Sequence, residues 1–335
     1  YALSERIHCM AGNISQEFQA WVGEKVGFVD NVLEVIPPKI TDAEKTSLWG
    51  ETGRADNLVV VSSMTAHWYL EKRDFKGKIP NIRDATLVEN AAPYQIRTTH
   101  LSDAIRMATG VLGNLLGYNM MHTAARDEQI KSFILSMADS EIVPTLKDMK
   151  GFDQPSLEHY MNSVIHIMSD SSLKDEISRV ISNPLRKLGR DERLIAPAVS
   201  SMNDFGIEPR HMCFTIAAAM HYLADYNTGA DWERTREPDV AYWERVAEKQ
   251  ELLRGTLSDI EAGNLLKAKK NVEYFLRENC GFDTGRFSER KLVSLITDYF
   301  IEIAKSEDFG KLLEKQNEEA KTPRTIRPSG VIVEG

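Results

Sequence analysis

Cysteine is scarce in this sequence and long apolar runs are absent. The three cysteines, Cys9, Cys213 and Cys280, are odd in number and far apart. That spacing excludes a disulfide framework and a paired-cysteine zinc site, and it favours a reducing compartment, which we predict to be the cytoplasm. No apolar run approaches the roughly 18–20 residues that cross a bilayer, so we predict no membrane partner.

Positive charge is also in deficit. Lys and Arg number 41 against 50 Asp and Glu, which gives a formal net charge of -9. A protein that grips phosphate backbones would carry a basic face, so we predict no nucleic-acid partner. The 335 residues, 42% of them hydrophobic, suffice for one large domain or two smaller ones.

Glycine turns that cradle phosphates are missing as well. Gly110, Gly113 and Gly117 fall inside an apolar helical stretch. Close helix packing therefore explains them better than a dinucleotide fingerprint, which lies between a strand and a helix. The GETG run at 50–53 lacks the GK[ST] ending of a P-loop.

Histidines share helical faces in two places without suggesting a metal site. His159 and His166 are seven residues apart, and His211 and His221 lie on another predicted helix. No carboxylate stands at ligand spacing with two of them, so we predict no metal. A serine triad is not supported either, because the GxSxG turn is absent.

The first hundred residues predict a mixture of helix and strand. Residues 15–26 form a short helix, and the β-branched or aromatic runs 57–63 and 66–72 predict strands. The connection at 63–65 permits a hairpin or a single bent strand. Gly and Pro predict a loop at 74–80.

From about residue 102 onward, apolar residues recur at helical spacing. The connections are short, which favours antiparallel neighbours. The architecture predicted is therefore a mainly helical domain preceded by a smaller α+β portion. The predicted helices are 102–118, 127–148 with a kink at Pro144, 156–168, 173–181, 194–205, 209–226, 240–254, 257–278 and 289–316.

One segment, ISRVISNPLRKLGRDERLIAP at 177–197, concentrates positive charge in an acidic protein. Asn183 and Pro184 break its helix, so its cations would be displayed from a turn. A solvated basic face is one interpretation; a pocket for an anion or a polyol is the other. The five cations are Arg179, Arg186, Lys187, Arg190 and Arg193.

This segment resembles a known family. NPLRKL at 183–188, followed by DERLI at 191–195, is similar to the signature of mannitol-1-phosphate 5-dehydrogenases, which belong to the polyol-specific long-chain dehydrogenases. The resemblance extends over roughly residues 8–225 and fades beyond them. The other similar runs are AWV at 20–22, VGFVD at 26–30, IPP at 36–38, FKGKIPNI at 75–82 and IAAAMH at 216–221.

The resemblance implies a mainly α fold, the multi-helical C-terminal domain of the mannitol dehydrogenase type, which is 6-phosphogluconate dehydrogenase C-terminal-like. Residues 1–95 would complete a dinucleotide-binding domain, 96–318 would form the helical substrate and catalytic domain, and 319–335 a tail. Tyr1 falls where the family's Rossmann core has ended, so we expect a segment before it. The implied reaction moves a hydride between NAD and a sugar alcohol or its phosphate.

The catalytic positions implied by the resemblance depart from the family. Family members place a Lys, an Asn and a His at the start of the first long helix, where this sequence has Thr98, Asp103 and Arg106. Threonine cannot accept a proton at neutral pH as a poised lysine can. His100, beside Asp103, is the residue we expect to substitute as base.

The substrate positions implied by the resemblance match better. Arg179 and Lys187 match the family's substrate-binding pair in identity and separation, and Arg186 is shared with its phosphate-using branch. Glu34 stands near a family Asp, displaced by one residue. The alternative is a non-catalytic relative that binds a sugar phosphate or a protein partner through the same cations. A third interpretation is a helical interaction module formed by the last hundred residues.

Overall fold

The computed structural model describes residues 2–38, 40–53, 59–62, 67–147, 149, 151–227 and 240–320. The chain divides into two compact units. Unit 1 contains Tyr1–Pro37 and Lys45–Thr98, and unit 2 contains Pro38–Glu44 and Thr99–Gly335.

Unit 1 is built on a three-stranded mixed sheet. Its strands are β1 (Asn31–Glu34), β2 (His67–Glu71) and β3 (Ala85–Val88). The central strand β2 runs antiparallel to β1 and parallel to β3. One small core buries residues from this sheet and from the helix that follows it, namely Val32, Val88 and Ala91 with Tyr69 and Tyr94 packed against them.

The sequence predicted part of this region correctly. The helix at 15–26 is confirmed as α2, where the Ser15 hydroxyl accepts a hydrogen bond from the Phe18 amide at 3.0 Å. The strand at 66–72 is confirmed as β2, and 75–80 contains neither helix nor strand. The helices here are α1 (Ala2–Ile14), α2 (Gln16–Lys25), α3 (Asp42–Thr52) and α4 (Ala92–Arg97).

The strand predicted at 57–63 is wrong for residues 59–62, which form no strand. Both edges of β2 are already paired, with β1 and β3, and Val60 is exposed. A β-branched run therefore finds no free edge on β2. Residues 57, 58 and the proposed connection at 63–65 lie outside the described residues.

Unit 2 is mainly helical, which confirms the predicted fold class. Helix α13 is buried along nearly its whole length and packs on α5, α14 and α16. None of the described helices combines the length and apolar character that a bilayer crossing requires. The helices of this unit are α5 (Asp103–Leu115), α6 (Met121–Arg126), α7 (Glu128–Met137), α8 (Val143–Leu146), α9 (Gln154–Met168), α10 (Ile177–Val180), α11 (Pro184–Lys187), α12 (Ile195–Asp204), α13 (Arg210–Asp225), α14 (Val240–Glu261), α15 (Leu265–Glu278), α16 (Phe287–Lys305) and α17 (Phe309–Ala320).

Several predicted helices are interrupted. The one at 127–148 contains a π-helical stretch, Ala138–Ile142, just before Pro144, because proline lacks the amide that a regular helix needs. The helix at 257–278 is split by Gly263, whose φ of 79° ends α14, and 289–316 divides into α16 and α17. The helix at 173–181 is wrong except for the single turn α10. Residues 321–335 of the predicted tail lie outside the described residues.

Candidate functional site

Two glycines of α5 allow close packing of α10, the helix that carries Arg179. A β-carbon on Gly110 would lie 2.6 Å from Cγ2 of Ile181, and one on Gly113 would lie 3.0 Å from Cδ1 of Ile177. This close approach confirms that these glycines serve helix packing. It also brings α10, with Arg179, against α5, with Arg106.

Arg106 and Arg179 share one carboxylate, that of Asp175. Nη2 of Arg106 lies 3.3 Å from Oδ2, and Nε of Arg179 donates to Oδ1 at 2.6 Å. Burial lowers the pKa of Arg106, while Asp175 opposes that shift, and a guanidinium stays charged in proteins. The buried Nε of Arg106 has no hydrogen-bond partner among the described residues. Two cations against one anion leave an excess of positive charge.

The predicted break at Asn183 and Pro184 begins a short helix on which two neighbouring cations point in different directions. Asn183 adopts left-handed backbone angles, with φ 51° and ψ 49°, and α11 begins at Pro184. On this short helix Arg186 is 56% exposed and contacts Glu192 at 3.1 Å, whereas Lys187 is buried. The turn therefore sends Lys187 inward and Arg186 outward.

Lys187 is the most deeply buried of these cations. Its Nζ donates to the carbonyl of Val180 at 2.6 Å. Burial, joined by the nearby cations Arg193 and Arg186, lowers its pKa to about 7, while Asp103 opposes this shift. An ammonium has three donors, and among the described residues the Val180 carbonyl is the acceptor that Lys187 reaches.

Asp103 joins Arg193 to this group. Its Oδ2 lies 3.4 Å from Nη1 of Arg193, and Glu192 contacts Arg193 on another side at 3.1 Å. Asp103 and Arg106 both act electrostatically on Lys187. We use the name cationic cluster for four cations and the two carboxylates between them, which are Arg106, Arg179, Lys187 and Arg193 with Asp103 and Asp175.

Arg186 does not belong to the cationic cluster and lines an open cavity. The cavity has a volume of about 580 Å³, and Arg245 and Lys249 of α14 also line it. Lys249 is paired with Glu248 at 2.8 Å, whereas Arg245 has no ion-pair partner among the described residues. Three cations from two elements, together with the carboxylates of Glu248 and Glu278, therefore line one cavity.

His100 lies in the π-helical stretch Thr98–Ser102 that leads into α5. Burial lowers its pKa to about 4, so the ring is neutral at physiological pH. No hydrogen bond joins it to Asp103 in the described part of the chain. The two predicted catalytic residues are therefore near in sequence but not directly bonded.

Glu34 and Thr98 meet within unit 1. Nη2 of Arg97 lies 3.0 Å from both carboxylate oxygens of Glu34, and the Thr98 hydroxyl also bonds to Glu34. Arg97 further donates to the Tyr69 hydroxyl at 3.0 Å and lies over the rings of Tyr69 and Tyr94. The Glu34 carboxylate is thus buried and already neutralised.

Sequence reasoning missed Arg97 and Asp175. The separation of four residues between Asp175 and Arg179 is a pairing signal on helical segments. Arg97 carried no comparable local signal, because its partner Glu34 lies 63 residues away.

The described residues offer no metal or dinucleotide site. No group of three or more His, Cys, Asp and Glu side chains within them could hold a metal ion. Neither β1, β2 nor β3 leads through a glycine turn into a helix, and such a turn is what a bound pyrophosphate requires.

Comparisons with known proteins agree with this architecture. A ternary complex of Pseudomonas fluorescens mannitol 2-dehydrogenase with NAD and D-mannitol matches with a TM-score of 0.68 and 18% identity, covering 94% of this chain and 59% of that one. A D-sorbitol dehydrogenase in substrate-free form matches with a TM-score of 0.60 and 18% identity, covering 93% and 58%. The chain thus spans less than two thirds of either structure.

The family model for the mannitol dehydrogenase C-terminal domain matches residues 90–279, which is more than half of the chain. This range contains α5, α10 and α11, and with them the whole cationic cluster. The predicted family relationship is therefore confirmed, and the chain belongs to the mannitol dehydrogenase C-terminal domain family.

Proposed function

We propose that this chain provides the substrate-binding part of an NAD-dependent dehydrogenase that acts on a sugar alcohol or its phosphate. The observation that carries the proposal is the cationic cluster, in which Arg106 and Arg179 both contact Asp175, Arg193 contacts Asp103, and Lys187 is buried with its Nζ on the Val180 carbonyl. The similarity to mannitol 2-dehydrogenase supports a polyol as the ligand.

The cluster suits an oxygen-rich ligand. Guanidinium groups present planar forks that match hydroxyl and phosphate oxygens, and a lysine amine adds a mobile donor. We therefore propose that Arg179 and Lys187 bind substrate oxygens, as the resemblance implied. Arg186, with Arg245 and Lys249 at the same cavity, is the residue we propose for a phosphate group.

The proton acceptor remains part of the proposal. His100 is neutral at physiological pH and has a free lone pair, but a pKa near 4 makes it a weak base. Lys187, whose pKa is lowered to about 7, is better matched to take the proton of a substrate hydroxyl. Asp103 would stabilise the ammonium that forms.

NAD supplies the hydride acceptor of such a reaction when it is bound. The described residues do not provide its site. The role proposed for this chain is to bind and orient the polyol and to hold its hydroxyl proton.

Ligand binding tests the proposal directly. D-Mannitol, D-sorbitol and D-mannitol 1-phosphate are titrated into the protein by calorimetry and by thermal melting. We expect at least one of them to bind, and Arg179→Ala and Lys187→Ala each to weaken binding about tenfold or more, since a charge-assisted bond contributes about 1.5–3 kcal/mol. Arg186→Ala should weaken only the phosphorylated ligand.

The matched control is Lys269→Ala, which removes an exposed cation paired with Asp298 and should leave affinity unchanged. Absence of binding by all three ligands to the unmodified protein would overturn the proposal. Turnover with NAD, followed by absorbance of the reduced cofactor, then separates an active dehydrogenase from a protein that only binds.

A further inference from the structure

An ion pair ties the loop that follows Lys187, the last residue of α11, to helix α16. Glu289, in the first turn of α16, is fully buried. Nη1 of Arg190 binds its Oε2 at 2.6 Å, and Nη2 binds its Oε1 at 2.9 Å. The Asp283 amide donates to Oε2 at 2.8 Å. A two-pronged bond of this kind fixes orientation as well as distance.

Further contacts hold Arg190 in the same place. Its Nη1 also donates to the Gly281 carbonyl at 3.2 Å, and its guanidinium carbon lies 6.0 Å from the centre of the Phe282 ring. Gly281 has a φ of 67°, and a β-carbon there would lie 3.3 Å from Cβ of Arg190. Residues 281–289 thus hold the Arg190 side chain by hydrogen bonds, an ion pair and close packing.

The loop is short enough to transmit this restraint to the cationic cluster. Arg190 lies three residues after Lys187 and three before Arg193. Backbone amides of Gly189 and Glu192 donate to the residues three before them, at 2.9 and 3.2 Å, which closes the segment into consecutive turns. Fixing Arg190 therefore limits the freedom of both neighbouring cations.

Helix α16 is itself firmly placed. It packs on α12 and α13, and it buries apolar side chains that include Leu292, Ile296 and Phe300. Glu289 and α16 lie beyond residue 279, where the family match ends. A segment outside that match thus holds a loop inside it.

We propose that Glu289, acting through Arg190, is a positioning residue that sets the orientation of Lys187 and Arg193 for substrate binding. The inference rests on the proposed function of the cationic cluster. It assigns the C-terminal helices a part in forming the substrate site, without contact to the substrate.

The test compares Glu289→Gln and Arg190→Gln with Asp298→Asn, a control that breaks an exposed pair on the same helix. Hydrogen exchange of the amides of residues 183–193 and calorimetric affinity for D-mannitol 1-phosphate and D-mannitol are measured on each. For Glu289→Gln we expect exchange in that loop to accelerate about tenfold and affinity to fall about tenfold, while α5 exchanges as before.

Arg190→Gln should reproduce both effects, and Arg190→Lys, which keeps the charge but not the fork, should recover part of the affinity. Because Arg190→Lys keeps a positive charge beside the buried Glu289 carboxylate, it remains informative should the neutral variants fail to fold. Unchanged affinity in a folded variant, or reduced affinity with unchanged exchange in 183–193, would overturn the inference. Absence of binding by the unmodified protein would instead defeat the proposed function, and loop exchange would still show whether Glu289 holds the loop.

Discussion

Gly110 of α5 lies so close to Ile181 that a β-carbon on the glycine would meet Cγ2 of the isoleucine at 2.6 Å. The separation of α5 and α10 at this point is therefore set by a missing side chain. Arg106 on α5 and Arg179 on α10 both reach Asp175 because of that separation. Helix packing and the geometry of the cationic cluster depend on the same residue.

Gly110→Ala should destabilise the protein by about 1–3 kcal/mol, because an inserted methyl group forces apart a well-packed contact. It should also weaken polyol binding, since α10 and Arg179 must shift. Denaturant unfolding and ligand titration measure the two effects. Gly255→Ala is the control: Gly255 is exposed on α14, and a β-carbon there would meet no atom within 4 Å, so alanine should stabilise by about 0.5–1 kcal/mol. Equal stability of the two variants would contradict this account.

Local sequence signals predicted most of the helical unit. The helices predicted at 15–26 and 127–148 begin where Ser15 and Asp127 cap them, and the apolar spacing located α5, α9 and α13. The failures have non-local causes. The β-branched run predicted a strand at 57–63, but residues 59–62 form none, and β1 and β3 occupy both edges of β2. Periodicity also continued through the breaks in 257–278 and 289–316.

The site was predictable only in part. The resemblance selected Arg179 and Lys187, and helix packing brings α10 to α5. The inward direction of Lys187 and the outward direction of Arg186 could not be read from two adjacent residues, because Asn183 sets the turn with a left-handed conformation. The contact between Asp103 and Arg193 joins residues far apart in the chain, and local patterns carry no information on such pairs.

Lys187→Met should separate binding from stability. Burial lowers the pKa of Lys187 from 10.5 to about 7, so between these values the unfolded chain holds a proton that the native protein does not. Stability from this group therefore rises with pH from about 7 to 10.5. Below pH 7 the variant should be more stable than the unmodified protein, by about 1–4 kcal/mol.

That difference should shrink as the pH approaches 10, and the variant should have lost ligand affinity at every pH. Unfolding free energies from pH 6 to 10 measure the first effect and calorimetry the second. A variant that is less stable at pH 6 than the unmodified protein would show that the charged Lys187 ammonium does not destabilise the native state.

His100→Gln tests both a pH effect and the predicted base. Burial lowers the pKa of His100 from 6.5 to about 4, so the unfolded state binds a proton first as the pH falls. Stability is lost from about pH 6.5 down to 4, and the variant should lose less, by up to about 1.4 kcal/mol per pH unit. Exposed His159→Gln is the control and should follow the unmodified protein.

In turnover assays with NAD and a polyol, the same His100→Gln variant decides the catalytic role. A loss of about a hundredfold or more in kcat, without a change in KM, would support His100 as the base. Retained turnover would move that role to another group, and Lys187→Met is then the informative comparison.

Glu34 and Arg97 should behave as a coupled pair in unit 1. Removing one charge from a buried pair leaves the other uncompensated, so Glu34→Gln and Arg97→Gln should each destabilise by about 3–5 kcal/mol. The double variant should cost less than the sum, because neither charge is then left alone. Thermal and denaturant unfolding of the four proteins measure this coupling.

Calorimetry with D-mannitol on Glu34→Gln tests the substrate-binding role that the resemblance implied for Glu34. If Glu34 contacted the substrate, Glu34→Gln would lower the affinity more than Arg97→Gln does. We expect equal affinities for the two single variants, because the Glu34 carboxylate is already bound by Arg97 and Thr98, and a lower affinity for Glu34→Gln alone would restore it to the substrate site.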